Sequence, residues 1–264
     1  MTSALKHWNG RCLVWFVALL LTACSPIGLR QSVTPQHSLA RDGGAQITLR
    51  ASCLPTAPTC ALAKQRDAAI GVLTRRLSGR SDVHDAVVRA DSSANIVVEL
   101  PDITGSTQIA DITTLLTSSG MVAILDTGSD FLPVGANTAD KTCAKACTPG
   151  QYQVAFTGDQ IDRSQVAAQR DNQSGQWVVQ FAFAGSVKQQ FASYTSSHIG
   201  EYLTITVDEV VVESATIQSE IDGAGQITGV NEAEARQVAA YLNSGSLPTV
   251  ITVVSSEQVT PSAG

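Results

Sequence analysis

Gln226-Ile227-Thr228-Gly229, Asn231-Glu232-Ala233-Glu234-Ala235, Val238-Ala239-Ala240-Tyr241-Leu242 and Ser244-Gly245-Ser246-Leu247-Pro248 follow one another near the end of the chain. Each group carries a local instruction. Asn231 with Glu234 three residues later is an N-cap signal, in which each side chain accepts from the other residue's backbone N–H. Ala235, Val238, Ala239 and Leu242 recur at helical spacing and share an inward face. Gly245 closes the helix, Pro248 follows, and residues 249–254 read as a final strand. Such an ending needs a sheet to receive it.

The upstream residues supply one. Residues 46–51 read as a short strand. Residues 61–78 carry Leu62, Ala69, Ile70, Leu73 and Leu77 at helical spacing, with Arg75 and Arg76 expected on the wet side and Gly79 as the stop. The β-rich runs 83–90 and 95–100 flank Asp91-Ser92-Ser93, a hairpin signal, and Pro101 ends the second. Ile109, Ile112, Leu115 and Leu116 mark another helix, and 121–125 another strand. The order β-α-β-β-α-β is that of a ferredoxin-like unit. A polar stretch from Ser129 to about Gly150 then leads into a second region beginning at Tyr152. There Val179, Phe181 and Phe183 alternate as in a half-buried strand, and Val187, Phe191 and Tyr194 take helical spacing over 185–200. Residues 202–212 alternate Leu203, Ile205 and Val207 before Val210-Val211-Val212.

The N-terminus reads as an export signal. Lys6, His7 and Arg11 precede an apolar run from Leu13 to Leu21, too short to span a bilayer, and Leu21-Thr22-Ala23-Cys24 follows. That tetrapeptide matches the bacterial lipobox, which predicts a signal peptide over 1–23 and a lipid on Cys24; an ordinary cleaved signal is the alternative. Residues 24–45, with Pro26, Pro35, Gly43 and Gly44 among Ser and Gln, read as a flexible tether. Beyond residue 23 the chain holds 15 basic against 23 acidic side chains and no basic cluster, which argues against nucleic acid and against a polybasic grip on lipid. In an oxidising compartment Cys53 with Cys60, and Cys143 with Cys147, are the simplest disulfides; cross-pairing and a four-thiolate zinc site are the alternatives.

Several of these segments, in this order, resemble the large extracytoplasmic domain of SecD, a membrane subunit of the Sec preprotein translocase. Ile70 through Arg75-Arg76-Leu77 is similar to the family's first helix. Ile96-Val97-Val98-Glu99-Leu100-Pro101 resembles its I-V-V-E-L-P strand, and Phe156-Thr157-Gly158-Asp159-Gln160-Ile161 its entry to the head. Phe183, Gly185, Phe191 and Thr195 sit where the family has its head helix, and Leu203-Thr204-Ile205-Thr206-Val207-Asp208 resembles the following strand. Glu209 stands where the family usually has Gly, and Thr216 where it usually has Pro. The resemblance implies an α+β fold, a ferredoxin-like base (46–128 and 229–258) with an inserted α+β head reached through a linker (129–228). It also implies an accessory role in protein export, binding emerging polypeptide or the Sec translocase from the extracytoplasmic face; the lipobox, where the family has a transmembrane helix, predicts a lipid as the membrane anchor. No proton-driven activity of its own is expected.

One motif points to an enzyme instead. Ala123-Ile124-Leu125-Asp126-Thr127-Gly128-Ser129 matches the aspartic-peptidase signature, whose chemistry needs two carboxylates sharing a proton. There is no second Asp-Thr-Gly or Asp-Ser-Gly, so a homodimer would have to supply the partner; an ordinary strand-ending turn is the simpler reading. His37, His84 and His198 stand isolated, Asp208, Glu209 and Glu213 lack a calcium loop, and Gly223-Ala224-Gly225 precedes a strand rather than a helix. The sequence therefore predicts a non-enzymatic protein without catalytic residues, cofactor or metal. A scaffold for an unrelated partner is the remaining alternative.

Overall fold

The computed structural model describes residues 37–54, 60–139, 142–143 and 152–261. Cys24, the signal segment and Cys147 lie outside the described residues, as does the side chain of Cys143. A helical turn, α1 (Leu39–Asp42), leads into β1 (Gly44–Ser52), α2 (Leu62–Ser78), β2 (Val87–Ala90), β3 (Ile96–Pro101), α3 (Ser106–Thr117) and β4 (Val122–Asp126). Then follow β5 (Thr142–Cys143), β6 (Tyr152–Thr157), β7 (Ala167–Arg170), β8 (Trp177–Ala182), α4 (Gly185–Ser197), β9 (Tyr202–Val207), β10 (Val210–Thr216), β11 (Ala224–Ile227), α5 (Glu232–Ser244) and β12 (Val250–Val259). The end of the expected tether is thus structured: Leu39 is buried in α1, and Gly44 and Ala45 already belong to β1.

Four antiparallel strands in the order β12-β1-β3-β2 form the base sheet. Ala45, Ile47, Leu49 and Ala51 alternate inward along β1 and meet Ile96, Val98 and Leu100, with Ala69, Leu73 and Leu77 of α2 and Ile112 and Leu116 of α3 closing the core. The four strand places of a ferredoxin-like unit are filled, but not as the sequence order suggested. The fourth is taken by β12, not by the strand at 121–125. That strand, β4, sits instead between β9 and β6 in a second sheet ordered β10-β9-β4-β6-β5. The burial patterns explain the exchange. Val122, Ala123, Ile124 and Leu125 are all buried, which demands cover on both faces and a central place. Along β12 most side chains are exposed and many are polar, which suits an edge.

The second sheet, the three-stranded sheet β11-β8-β7, α4 and α5 share another core, in which Phe156, Phe183 and Phe191 meet at centroid distances of 4.7 to 5.2 Å. The N-cap of α5 is formed as read: Glu234 N–H donates to Asn231 Oδ1 (3.0 Å) and Asn231 N–H to Glu234 Oε2 (2.8 Å). The run 202–212 is a hairpin rather than one strand. It turns at Asp208 (φ 47°) and Glu209 (φ 68°), the paired left-handed conformations of a type I′ turn, reached here without glycine. The described part of the polar linker lies along β10, with Gly135 N–H donating to the Val211 carbonyl (2.8 Å) and Thr138 N–H to that of Glu209 (2.7 Å).

Arg76 contradicts its expected place in solvent. It is fully buried where the chain leaves α3 for β4 and returns from α5 to β12. Its guanidinium donates to the carbonyls of Leu115 (2.7 Å), Ser118 (2.6 Å) and Ser119 (2.7 Å), reaches Ser244 Oγ at 3.3 Å, and stacks 4.8 Å over Tyr241. Arg76 follows Val72 and Leu73 by four and three residues, so it lies on the apolar face of α2. The carbonyls at the ends of α3 and α5 take the place of water around its charge there. Burial nevertheless lowers its pKa to about 10, against the opposing pull of Tyr241 and Asp208. Gly120 beside it has φ 68°, and a Cβ there would collide with Arg76 and come within 2.6 Å of Tyr241.

Candidate functional site

β4 ends at Asp126, and the Asp-Thr-Gly turn that follows is locked to the start of β9. Thr127 Oγ1 lies 3.0 Å from Thr204 Oγ1, and Tyr202 N–H donates to the Gly128 carbonyl at 2.8 Å. Gly128 adopts φ 55°, the left-handed conformation that the turn requires. This geometry aims the Asp126 carboxylate at the end of α4. His198, the C-cap residue, places Nε2 3.9 Å from Asp126 Oδ2. Glu201, in the turn before β9, brings a carboxylate oxygen close enough that one donor atom from each of Asp126, His198 and Glu201 lies within 4.8 Å of the others.

Tyr194 completes the cluster one helical turn before His198. The two rings stack at 4.1 Å. Burial pushes the Tyr194 hydroxyl well above its ordinary pKa, and the charges of Asp126 and Glu201 push the same way. The His198 tautomer follows from its contacts. Nδ1 lies 2.7 Å from the Tyr194 backbone carbonyl, which can only accept, so Nδ1 carries a proton, and Nε2 is the ring nitrogen that faces Asp126.

His198 is therefore not isolated, and neither is His37, whose Nδ1 lies 2.5 Å from Asp102 Oδ2 and 4.0 Å from Asp42. Sequence spacing missed both groups because their members come from separate elements and meet only through the fold. Asp126 itself is held in an intramolecular cluster with Tyr194, His198 and Glu201, an arrangement that does not favour a peptidase dyad. The acidic groups read as an exposed strand end are half-buried and engaged. Asp208 accepts from the backbone N–H of Gly120 (3.0 Å) and Met121 (2.8 Å), and Glu213 accepts from Thr228 Oγ1 (2.6 Å). Burial raises the Glu213 pKa, an effect that the Thr228 hydrogen bonds oppose.

Large apolar side chains are exposed on segments that flank the second sheet. Phe131 (58 %) and Val134 (69 %) lie on the segment after the Asp-Thr-Gly turn, and Ile199 (56 %) lies in the turn after α4. The Phe131 ring packs at 5.4 Å against Tyr202. The Cα atoms of Cys53 and Cys60 stand 5.9 Å apart, within the span of a disulfide.

Residues 145–249 match the family model of the SecDF P1 head subdomain. The protein translocase subunit SecD of Acetobacter pasteurianus is 29 % identical over 199 residues, covering 74 % of this chain and 38 % of that protein. SecD of Acidaminococcus fermentans is 28 % identical over 233 residues, covering 88 % and 48 %. The chain thus spans less than half the length of these relatives. Among solved structures, SecDF in a super-membrane-facing form matches 85 % of this chain and 32 % of its own with a TM-score of 0.64 at 22 % identity. A second, described as a membrane component SecDF that enhances protein export, matches 80 % and 98 % with a TM-score of 0.60 at 21 % identity. No helix among the described residues is long and apolar enough to cross a membrane. Sequence and fold together support a SecD-like periplasmic head domain in this chain, with the match to the SecDF P1 head subdomain at residues 145–249.

Proposed function

We propose that this chain is a lipid-anchored extracytoplasmic accessory of protein export that binds emerging, unfolded polypeptide beside the Sec translocase. The observation that carries the reading is the head match at 145–249, joined to a base sheet of the same overall fold. In this account residues 1–23 are a signal peptide, Cys24 carries the lipid, and a Cys53–Cys60 disulfide pins the segment between β1 and α2. The base and head are two lobes of one binding unit, with β4 contributing to the head. The work assigned to the chain is binding, with no proton-driven step of its own.

Phe131, Val134 and Ile199 are the contact residues in this reading, because large exposed apolar side chains suit sequence-tolerant capture of apolar segments. Unfolded chains expose such segments and folded ones bury them. Fluorescence anisotropy with a labelled secretory protein, kept unfolded by reduction of its disulfides, tests this directly. The chain is expected to bind the unfolded form and not the oxidised, folded form. The triple variant Phe131→Ser, Val134→Ser, Ile199→Ser should weaken that binding at least about tenfold, the effect of roughly 1.4 kcal/mol. Equal binding of folded and unfolded forms would remove the proposal.

A further inference from the structure

We propose that Asp126, His198 and Glu201 form a binding site for a divalent first-row cation such as zinc. At 3.9 Å, His198 Nε2 and Asp126 Oδ2 are too far apart to share a hydrogen bond. A tetrahedral zinc ion bonded at about 2.0 to 2.2 Å to nitrogen and oxygen holds two donors roughly 3.4 Å apart, so a shift of about half an ångström brings this pair to ligand spacing. Rotation of the Glu201 side chain brings in the third donor from within 4.8 Å.

The histidine is also prepared for this. Its Nδ1–H is held by the Tyr194 carbonyl at 2.7 Å, a contact outside the ligand set. That is the outer-shell hydrogen bond by which a metal-ligating imidazole is fixed in orientation and tautomer. It leaves Nε2 on the side of the two carboxylates, whose mutual repulsion a cation between them would relieve. The rest of the frame is stiff: Tyr194 stacks on the imidazole, and the Asp-Thr-Gly turn is bound to β9 through Tyr202 and Thr204. One imidazole and two carboxylates make a donor set for zinc or manganese, with further positions open to water. The second histidine cluster differs in the decisive respect. His37 Nδ1 and Asp102 Oδ2 already meet at 2.5 Å, with no room for a cation between the two atoms.

Isothermal titration with zinc chloride tests the site. The full chain is used after chelation, with Cys143→Ser and Cys147→Ser substitutions to remove competing thiols. One saturable equivalent of zinc is expected. His198→Gln and Glu201→Gln should each weaken it at least about tenfold, while His37→Gln should leave it unchanged. Should either ligand variant fail to fold, zinc K-edge absorption on the parent protein decides, with a nitrogen and oxygen shell that includes imidazole expected. Absence of saturable binding, unchanged affinity in a folded His198→Gln variant, loss of the site in His37→Gln, or a shell without imidazole would each overturn the proposal.

Discussion

Arg76 shows how a single side chain can define a junction. Its guanidinium bridges both connections between the base sheet and the inserted region, and it does so through carbonyls rather than a carboxylate. Arg76→Met should keep most of the volume but leave those carbonyls without a donor, costing on the order of 3 kcal/mol in urea unfolding. Gly120→Ala should cost about as much, because it combines a left-handed backbone with a Cβ overlapping Arg76 and Tyr241. Glu213 should show itself in pH dependence. Its pKa is raised in the fold, so between the unfolded value and the raised value the native state binds more protons than the unfolded chain. Stability should therefore fall as pH rises through that window, and Glu213→Gln should flatten the fall in thermal melts. The buried Arg76 was illegible in the sequence because the pattern of α2 alone cannot reveal the carbonyls that α3 and α5 bring to it.

At the scale of elements, α5 was the most legible. Its cap, inward face and glycine stop are all local, and the structure repeats them residue for residue. Asn231→Ala should cost about 1 kcal/mol in denaturant unfolding by leaving an early N–H of α5 without its acceptor. Strand pairing was legible only in part. The short apolar run of β4 and the mixed pattern of β12 both read as strands, but which sheet each joins depends on cover from elements far away in sequence. The Asp208-Glu209 turn escaped notice for a related reason. Non-glycine residues hold its positive φ angles, and the Asp208 hydrogen bonds to Gly120 and Met121 help to fix it. The cluster at Asp126 was half legible: the motif marked the turn, but not the α4 end that it faces.

For the whole molecule, the SecD-type domain places a base sheet, an inserted head and exposed apolar side chains in one unit, and the proposed role in export rests on that arrangement. Nothing in charge or composition distinguished a capture surface, since which of the large apolar side chains stay exposed, Phe131, Val134 and Ile199 among them, is settled only once β4, α4 and β9 are in place. The most direct test is chemical crosslinking in native membranes, followed by purification of the chain and mass spectrometry of what is trapped. The account predicts Sec translocase subunits and unfolded secretory chains, with crosslinks concentrated near 131–134 and 199. Recovery of neither, at good yield of the chain itself, would contradict it.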